Sequence, residues 1–280
     1  MNDLFFSLAF LSQIVLISVW LPMRVNALLR HQLETWPIES YPRLYPKPVA
    51  YYERALLHFR LINGAIFLAG LFLWIVFNVD ETNDDYGGVA WGLFMLQSLP
   101  FVMLEIFTFR TWKLMRDADT RSMRKAELRP RQLADVVSAM QLGITASAFI
   151  VFSLFIIYVD QFAYSWFGGY TNIAILGAGY AFLSGIVLWE LYGRKKDPYQ
   201  DENDRISRLR ELIRHFVFVA VAVTVYGMVT ISLQVLELNQ FRQLAFSIYC
   251  QLLAIASFYT VFRHRDTNFE VYREEKITAA

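Results

Sequence analysis

The sequence predicts an all-α membrane protein, built as a bundle of seven transmembrane helices. Hydrophobic residues make up 56% of the 280 residues, whereas charged residues make up only 18%. The charges are confined to blocks, and the apolar runs between them are long enough to cross about 30 Å of hydrocarbon. The basic residues also fall almost entirely in alternate connections between these runs. We therefore expect one polytopic transmembrane domain over residues 1–280.

Seven apolar runs are the expected spans, and their order predicts one leading helix followed by three two-helix hairpins. The first run begins with Asp3 where a signal peptide has basic residues, so we expect it to be a retained span. The last two runs are separated only by residues 237–242, which is enough for a tight turn. The expected spans are approximately 4–23, 61–79, 88–109, 136–159, 170–192, 213–236 and 243–262.

Lysine and arginine indicate how the spans are oriented. Of the 26 basic residues, only Arg242 lies outside the segments 24–60, 110–131, 194–214 and 263–280. With seven spans, these four segments share one side, which we call the basic side. The positive-inside rule places that side in the cytoplasm. We therefore predict an outer N-terminus and a cytoplasmic C-terminus, and the expected location is a bacterial inner membrane.

Two pairs of similar phrases indicate an internal repeat. LYPKPVA at 44–50 is matched by LRPRQLA at 128–134, and VDETNDDYGG at 79–88 is matched by VDQFAYSWFGG at 159–169. Each hairpin would then begin on the basic side, so these would be parallel repeats. We interpret the phrases as punctuation at the membrane surface, where the paired glycines permit a positive φ as the chain turns back.

Two glutamates lie inside expected spans, where an ionisable side chain is costly. Glu105 and Glu190 both stand near the basic end of their span. Each could form an ordinary ion pair with the arginine that follows it, Arg110 or Arg194. Alternatively, they could act as a proton or cation relay, or line a polar pocket.

Other polar residues gather near the same side of the membrane and extend this candidate site. They could contact lipid headgroups, or they could line a cytoplasm-facing vestibule for an anionic ligand, a lipid phosphate or a partner protein. The ligand or vestibule candidates are Glu105, Glu190, Arg60, Asn63, Arg110, Arg194 and Arg214.

Histidines supply a further alternative. His58, His215 and His264 stand at the basic ends of spans, where two imidazoles on neighbouring helices could ligate haem or a metal ion. No CxxCH or HExxH spacing supports such a site, and unligated histidines at the interface are the simpler interpretation. We therefore predict no cofactor and keep haem as an alternative.

The sequence contains no P-loop, no GxSxG and no dinucleotide fingerprint. This favours a non-enzymatic subunit or scaffold of a membrane complex, which engages a partner through its basic cytoplasmic loops. A transporter or channel with a cytoplasm-facing polar vestibule is the second hypothesis, and a membrane enzyme or haem-binding electron carrier is the third. The expected partners are membrane lipids with anionic headgroups and either another protein or a second copy of the chain, but not nucleic acid.

Overall fold

A computed structural model describes residues 2–79, 87–119, 132–193, 197–262 and 268–273, and every regular element in these ranges is helical. Seven helical stretches among them are long and apolar enough to cross a membrane. This confirms the predicted all-α, seven-span, multi-pass architecture. The long helices are α1 (Asn2–Val15), α2 (Leu21–Thr35), α3 (Val49–Val79), α4 (Gly87–Asp117), α5 (Ala139–Asp160), α6 (Thr171–Tyr192), α7 (Glu202–Val235) and α8 (Arg242–Phe262).

Several helices extend beyond the predicted spans at their basic ends. Helix α3 begins directly after Pro48 instead of near residue 61. Helix α7 begins at Glu202, before the apolar span, where the three- and four-residue spacing of Ile206, Leu209, Leu212 and Phe216 predicts a helix that runs directly into that span. Hydropathy alone predicts only the apolar part of such a helix. The added turns are amphipathic, because buried Tyr52 and Leu56 alternate with exposed charged residues, and they continue the same helical hydrogen bonding.

The first span combines α1, a π-helical turn over Leu16–Trp20, and α2. Pro22 at the start of α2 has no backbone N–H, and its ring excludes the carbonyl four residues earlier. The chain responds with a wider turn, in which the Leu21 N–H donates to the Leu16 carbonyl. The wide turn therefore has a local cause, and helix formation continues through it.

The described chain forms two compact units, here called unit 1 and unit 2. Unit 1 contains residues 1–126, 195–204 and 262–280. In it, α1 packs against α3, and α3 packs against α4. The core face of the first span repeats at three- and four-residue intervals, as a packed helix stripe does. Its members are Phe10, Ile14, Ile17, Leu21 and Val25, each at most 2% exposed.

Unit 2 contains residues 127–194 and 205–261, and α5 packs against α6 within it. A capping box begins α5, because the Ser138 hydroxyl accepts from the Gln141 N–H while the Gln141 side chain accepts from the Ser138 N–H. At the basic end of this unit, Val136, Leu191, Leu209 and Ile213 form a buried apolar cluster. The segment before α5 is therefore held against the end of α6 and the start of α7.

The first pair of repeated phrases does not share local structure where both are described. Val49 begins α3, whereas Leu133, its counterpart 84 residues later, begins a short 3₁₀ turn that precedes α5. Gly169 has the expected positive φ, at +52°. Gly88 and Gly168 do not, so the expectation was wrong at those two positions. Gly88 already lies inside α4. The repeat itself stays a prediction, since residues 80–86 and 128–131 lie outside the described residues.

Candidate functional site

Three polar segments of unit 1 meet outside its spans, and we call residues 36–48, 197–204 and 268–273 the clasp. The rings of Trp36 and Phe269 stack with centroids 3.8 Å apart. The Tyr272 hydroxyl donates to Asp197 Oδ2 at 2.6 Å, and both residues are only 5% exposed. Asp197 Oδ1 accepts the Tyr199 N–H at 2.9 Å, so each carboxylate oxygen is used. The clasp is therefore a packed arrangement rather than a chance approach of loops.

Further contacts fix the edges of the clasp. The Asn268 N–H donates to Asp204 Oδ2 at 3.0 Å, which joins the C-terminal segment to the first turn of α7. The Arg43 guanidinium lies over the Tyr199 ring, 5.6 Å from the ring centroid. This is within the roughly 6 Å over which a cation–π contact is favourable. Burial, reinforced by neighbouring Tyr52, raises the pKa of Tyr45 above its usual value. Tyr45 therefore stays protonated and donates to the Gln32 carbonyl.

The clasp also bears on topology. Its segments follow the first, fifth and seventh spans. Segments that touch outside a membrane lie on the same side of it, so an even number of crossings must separate them. This agrees with the predicted alternation of the spans, although it does not say which side is the cytoplasm.

A groove of about 550 Å³ runs between α3 and α4 in unit 1, and we call it the α3–α4 groove. The α3 wall runs from residue 51 to 62, and the α4 wall from residue 100 to 110. Arg54, His58 and Arg110 form the basic end of the groove, while Ile62, Pro100 and Met103 line its apolar end. Two aromatic contacts brace the walls, with ring centroids 5.3 Å apart for Tyr51–Phe107 and 5.9 Å for Phe59–Phe101.

The two glutamates that the sequence singled out do not line either described cavity. Glu105 is exposed on α4, and among the described residues it has no ion pair with Arg110. Residues five apart are about 140° apart around a helix of 3.6 residues per turn, which explains why these two do not meet. Glu190 belongs to unit 2, where its backbone carbonyl accepts from Arg205. Its expected partner Arg194 lies outside the described residues.

The other vestibule candidates have separate environments. Arg60 is exposed on α3 and does not line the groove, whereas Arg110 does. Asn63 is 3% exposed and donates to the Phe59 carbonyl, and its Oδ1 atom is buried with no hydrogen-bond partner among the described residues. In unit 2, Arg214 forms an ion pair with Glu211 on its own helix at 2.9 Å.

The three candidate histidines also differ. His58 is exposed and lies on the α3–α4 groove of unit 1. His215 of unit 2 lies within 3.3 and 3.5 Å of the hydroxyls of Ser257 and Thr260, so it links α7 to α8. His264 lies outside the described residues. In the part of the chain that the structure describes, no three His, Cys, Asp or Glu side chains are grouped closely enough to hold a metal ion.

Polar side chains inside the spans bond across helices. In unit 1, Gln13 Nε2 donates to Gln97 Oε1 at 3.1 Å, and Gln97 Nε2 donates to Ser18 Oγ at 3.0 Å. In unit 2, the Tyr180 hydroxyl contacts Thr224 Oγ1 at 2.8 Å and the Ala220 carbonyl at 3.2 Å. Each contact is of the kind that joins transmembrane helices. A second cavity of about 210 Å³ in unit 2 is bordered by Tyr180 and is mostly apolar.

Sequence reasoning missed the clasp and part of the groove. Contacts such as Trp36 with Phe269 join residues more than 200 positions apart, and no local pattern signals them. Arg54 had a usable signal, because it stands one helical turn before His58. The predicted span began at residue 61, however, so the sequence analysis did not place Arg54 and His58 together on one face of a helix.

We compared the chain with protein-family models, with curated proteins and with solved structures, and none of these comparisons found a match.

Proposed function

We propose that this protein is a non-enzymatic subunit or scaffold of a membrane complex, and that it engages a protein partner on its basic side. Its expected setting is a bacterial inner membrane, with the N-terminus outside and the C-terminus in the cytoplasm. The clasp carries the proposal. It gathers three connecting segments into one fixed surface, and the buried Tyr272–Asp197 hydrogen bond orders the C-terminal segment.

A preordered surface suits partner binding because less conformational entropy is lost when the complex forms. The clasp presents aromatic and charged groups together, including Tyr41, Arg43, Glu270 and Arg273. Tyrosine and arginine are enriched at protein interfaces, where they supply both apolar contact and hydrogen bonds.

The interior of the spans also supports a scaffold over a transporter. Gln97 and Tyr180 each bond to a neighbouring helix, so they join helices rather than line an open polar route. Neither the α3–α4 groove nor the cavity in unit 2 is lined by a carboxylate. A proton or cation relay through the described cavities would need such groups.

The first experiment is native mass spectrometry of the full chain, isolated gently from its own membrane. We expect a partner protein at fixed stoichiometry with the unaltered chain. The double variant Phe269→Ala/Tyr272→Phe removes the ring stack and the buried hydrogen bond. We expect it to weaken partner affinity by about tenfold, which corresponds to about 1.4 kcal/mol. The matched control is Tyr170→Phe, an exposed tyrosine outside the clasp.

Trypsin cleavage after Arg273 gives an independent measure of clasp opening, since that bond directly follows the last residue of the clasp. Faster cleavage together with lost partner occupancy is the expected result. The proposal would be overturned if cleavage became faster while partner occupancy stayed unchanged.

A further inference from the structure

We propose that the α3–α4 groove is a binding site for one phospholipid with a negatively charged headgroup. The headgroup phosphate would lie between Arg54 and Arg110, with His58 as a third donor, and an acyl chain would follow the apolar walls toward Pro100. This site is separate from the clasp and does not depend on the function proposed above.

The two arginines at the groove have no acidic partner among the described residues. Arg54 and Arg110 are both exposed, and neither has an ion pair or hydrogen bond with any described residue. Arg60 is also exposed without an acidic partner among the described residues, but only Arg54 and Arg110 lie beside the same cavity. A guanidinium binds a phosphate through two parallel N–H donors, so two such groups beside one cavity are complementary to a phosphodiester.

The depth of the groove matches the way a lipid lies in a bilayer. Pro100 lies about 20 Å along α4 from its outer end and Arg110 about 35 Å, at about 1.5 Å per residue. With a hydrocarbon thickness of about 30 Å, the apolar end of the groove is inside the membrane and the basic end is at the headgroups. A small water-soluble anion would gain nothing from contact with the apolar half of the groove.

The walls of the groove provide the surface that an acyl chain needs. The α3 wall is about 16 Å long, from about eleven steps along the helix between Tyr51 and Ile62 at about 1.5 Å each. Its apolar lining includes Ile62, Met103 and Leu104. Pro100 lacks the N–H that would bond to the preceding turn, and a proline at such a position bends a helix. Such a bend favours a gap between α4 and its neighbour.

The test uses the full-length protein after delipidation, with phosphatidylglycerol or phosphatidylcholine added back and counted by native mass spectrometry. We expect one phosphatidylglycerol to bind in preference to phosphatidylcholine. Arg54→Gln and Arg110→Gln should each lower its affinity about fivefold, as expected for one arginine near an anionic lipid. Arg60→Gln is the matched control, because Arg60 is an exposed arginine on the same helix that does not line the groove, and it should change affinity less than about twofold.

A second pair of variants tests the acyl-chain half without changing charge. Ala55→Phe places a ring in the groove, whereas Ala65→Phe adds the same ring on an exposed position of α3 outside it. We expect only Ala55→Phe to displace the lipid, with both proteins remaining monodisperse.

Four results would overturn the proposal. The first two are an equal loss of phosphatidylglycerol affinity from Arg60→Gln and Arg54→Gln, and equal binding of phosphatidylglycerol and phosphatidylcholine. The other two are complete displacement of the lipid by millimolar inorganic phosphate, and cross-links showing that a second copy or another protein helix covers the groove.

Discussion

Asp197 shows how a carboxylate is accommodated at a position only 5% exposed to solvent. Burying a charged group is costly unless hydrogen bonds replace its water. Here Tyr272 and the backbone of Tyr199 supply one donor to each carboxylate oxygen. Because hydrogen bonds to charged groups contribute about 1.5–3 kcal/mol, this residue can hold the C-terminal segment in place.

Glu105 illustrates the opposite situation, a carboxylate that no described residue binds. It is exposed on α4, near the basic end of the helix. We expect Glu105→Gln to change the free energy of unfolding by no more than about 0.5 kcal/mol, as for surface positions without a partner. Partner occupancy in native mass spectrometry should also stay unchanged. The measurement is thermal unfolding in detergent, followed by the same occupancy assay.

The matched variant is Glu190→Gln, which tests the second carboxylate of the transporter hypothesis. A scaffold tolerates either change. If either variant inserted normally but lost solute flux in proteoliposomes, the transporter hypothesis would replace the scaffold.

The number of spans and their approximate positions along the chain could be predicted from the sequence, because hydropathy determines which runs enter the membrane. The beginning of α7 could also be predicted, because its apolar residues recur at helical spacing. The beginning of α3 could not, since its amphipathic first turns fall below a transmembrane threshold although they continue the helix. The π-helical turn at Leu16–Trp20 was not predicted either. Its cause, Pro22, is plain in the sequence, but a proline can equally end or kink a helix.

The candidate site was harder to predict than the helices. Arg110 and His58 were singled out from sequence, yet their shared groove depends on how α3 packs against α4. The pairing of Asp197 with Tyr272 depends on where two distant connections meet. Long-range contacts of this kind leave no periodic signal in a single sequence.

The packing of α1 against α3 depends on Gly70, where the two helices approach closely. A Cβ atom at this position would lie 3.0 Å from Ile14 Cγ2. We therefore expect Gly70→Leu to lower the free energy of unfolding by about 1–3 kcal/mol, the usual cost of overpacking a core. Unfolding in a graded denaturing detergent measures the change.

Gly64→Leu is the control on the same helix, because nothing lies within 4 Å of a Cβ atom there. It should be neutral or stabilising, since leucine has the higher helix propensity. Equal destabilisation by both variants would show that the loss of glycine itself, and not contact with Ile14, is responsible.

At the scale of the whole molecule, the long helices carry large apolar side chains on their exposed faces. Phe72 of α3 is 65% exposed, and Phe182 and Trp189 of α6 are 68% and 75% exposed. In water such surfaces would cause aggregation, but lipid tails solvate them at no cost. This is the property expected of a multi-pass membrane protein, and it agrees with the seven spans.

The predicted orientation can be tested with single cysteines and a thiol reagent that does not cross membranes. The only natural cysteine, Cys250, is fully buried, so it gives little background. Ser165 is exposed in the connection before α6, and Asn203 is exposed in the first turn of α7. We expect Ser165→Cys to react in intact cells, and Asn203→Cys only after permeabilisation, because the positive-inside rule places the basic side in the cytoplasm.

Ser40→Cys provides an internal control, because residue 40 belongs to the clasp together with residue 203. Since clasp segments lie on one side, Ser40→Cys must behave as Asn203→Cys does. If those two positions differed, the clasp contacts would be wrong. If Ser40→Cys and Asn203→Cys both reacted in intact cells while Ser165→Cys did not, the seven-span fold would be retained with its orientation reversed. A partner on the basic side would then lie outside the cytoplasm. The labelling pattern therefore decides separately between an error in the fold and an error in its orientation.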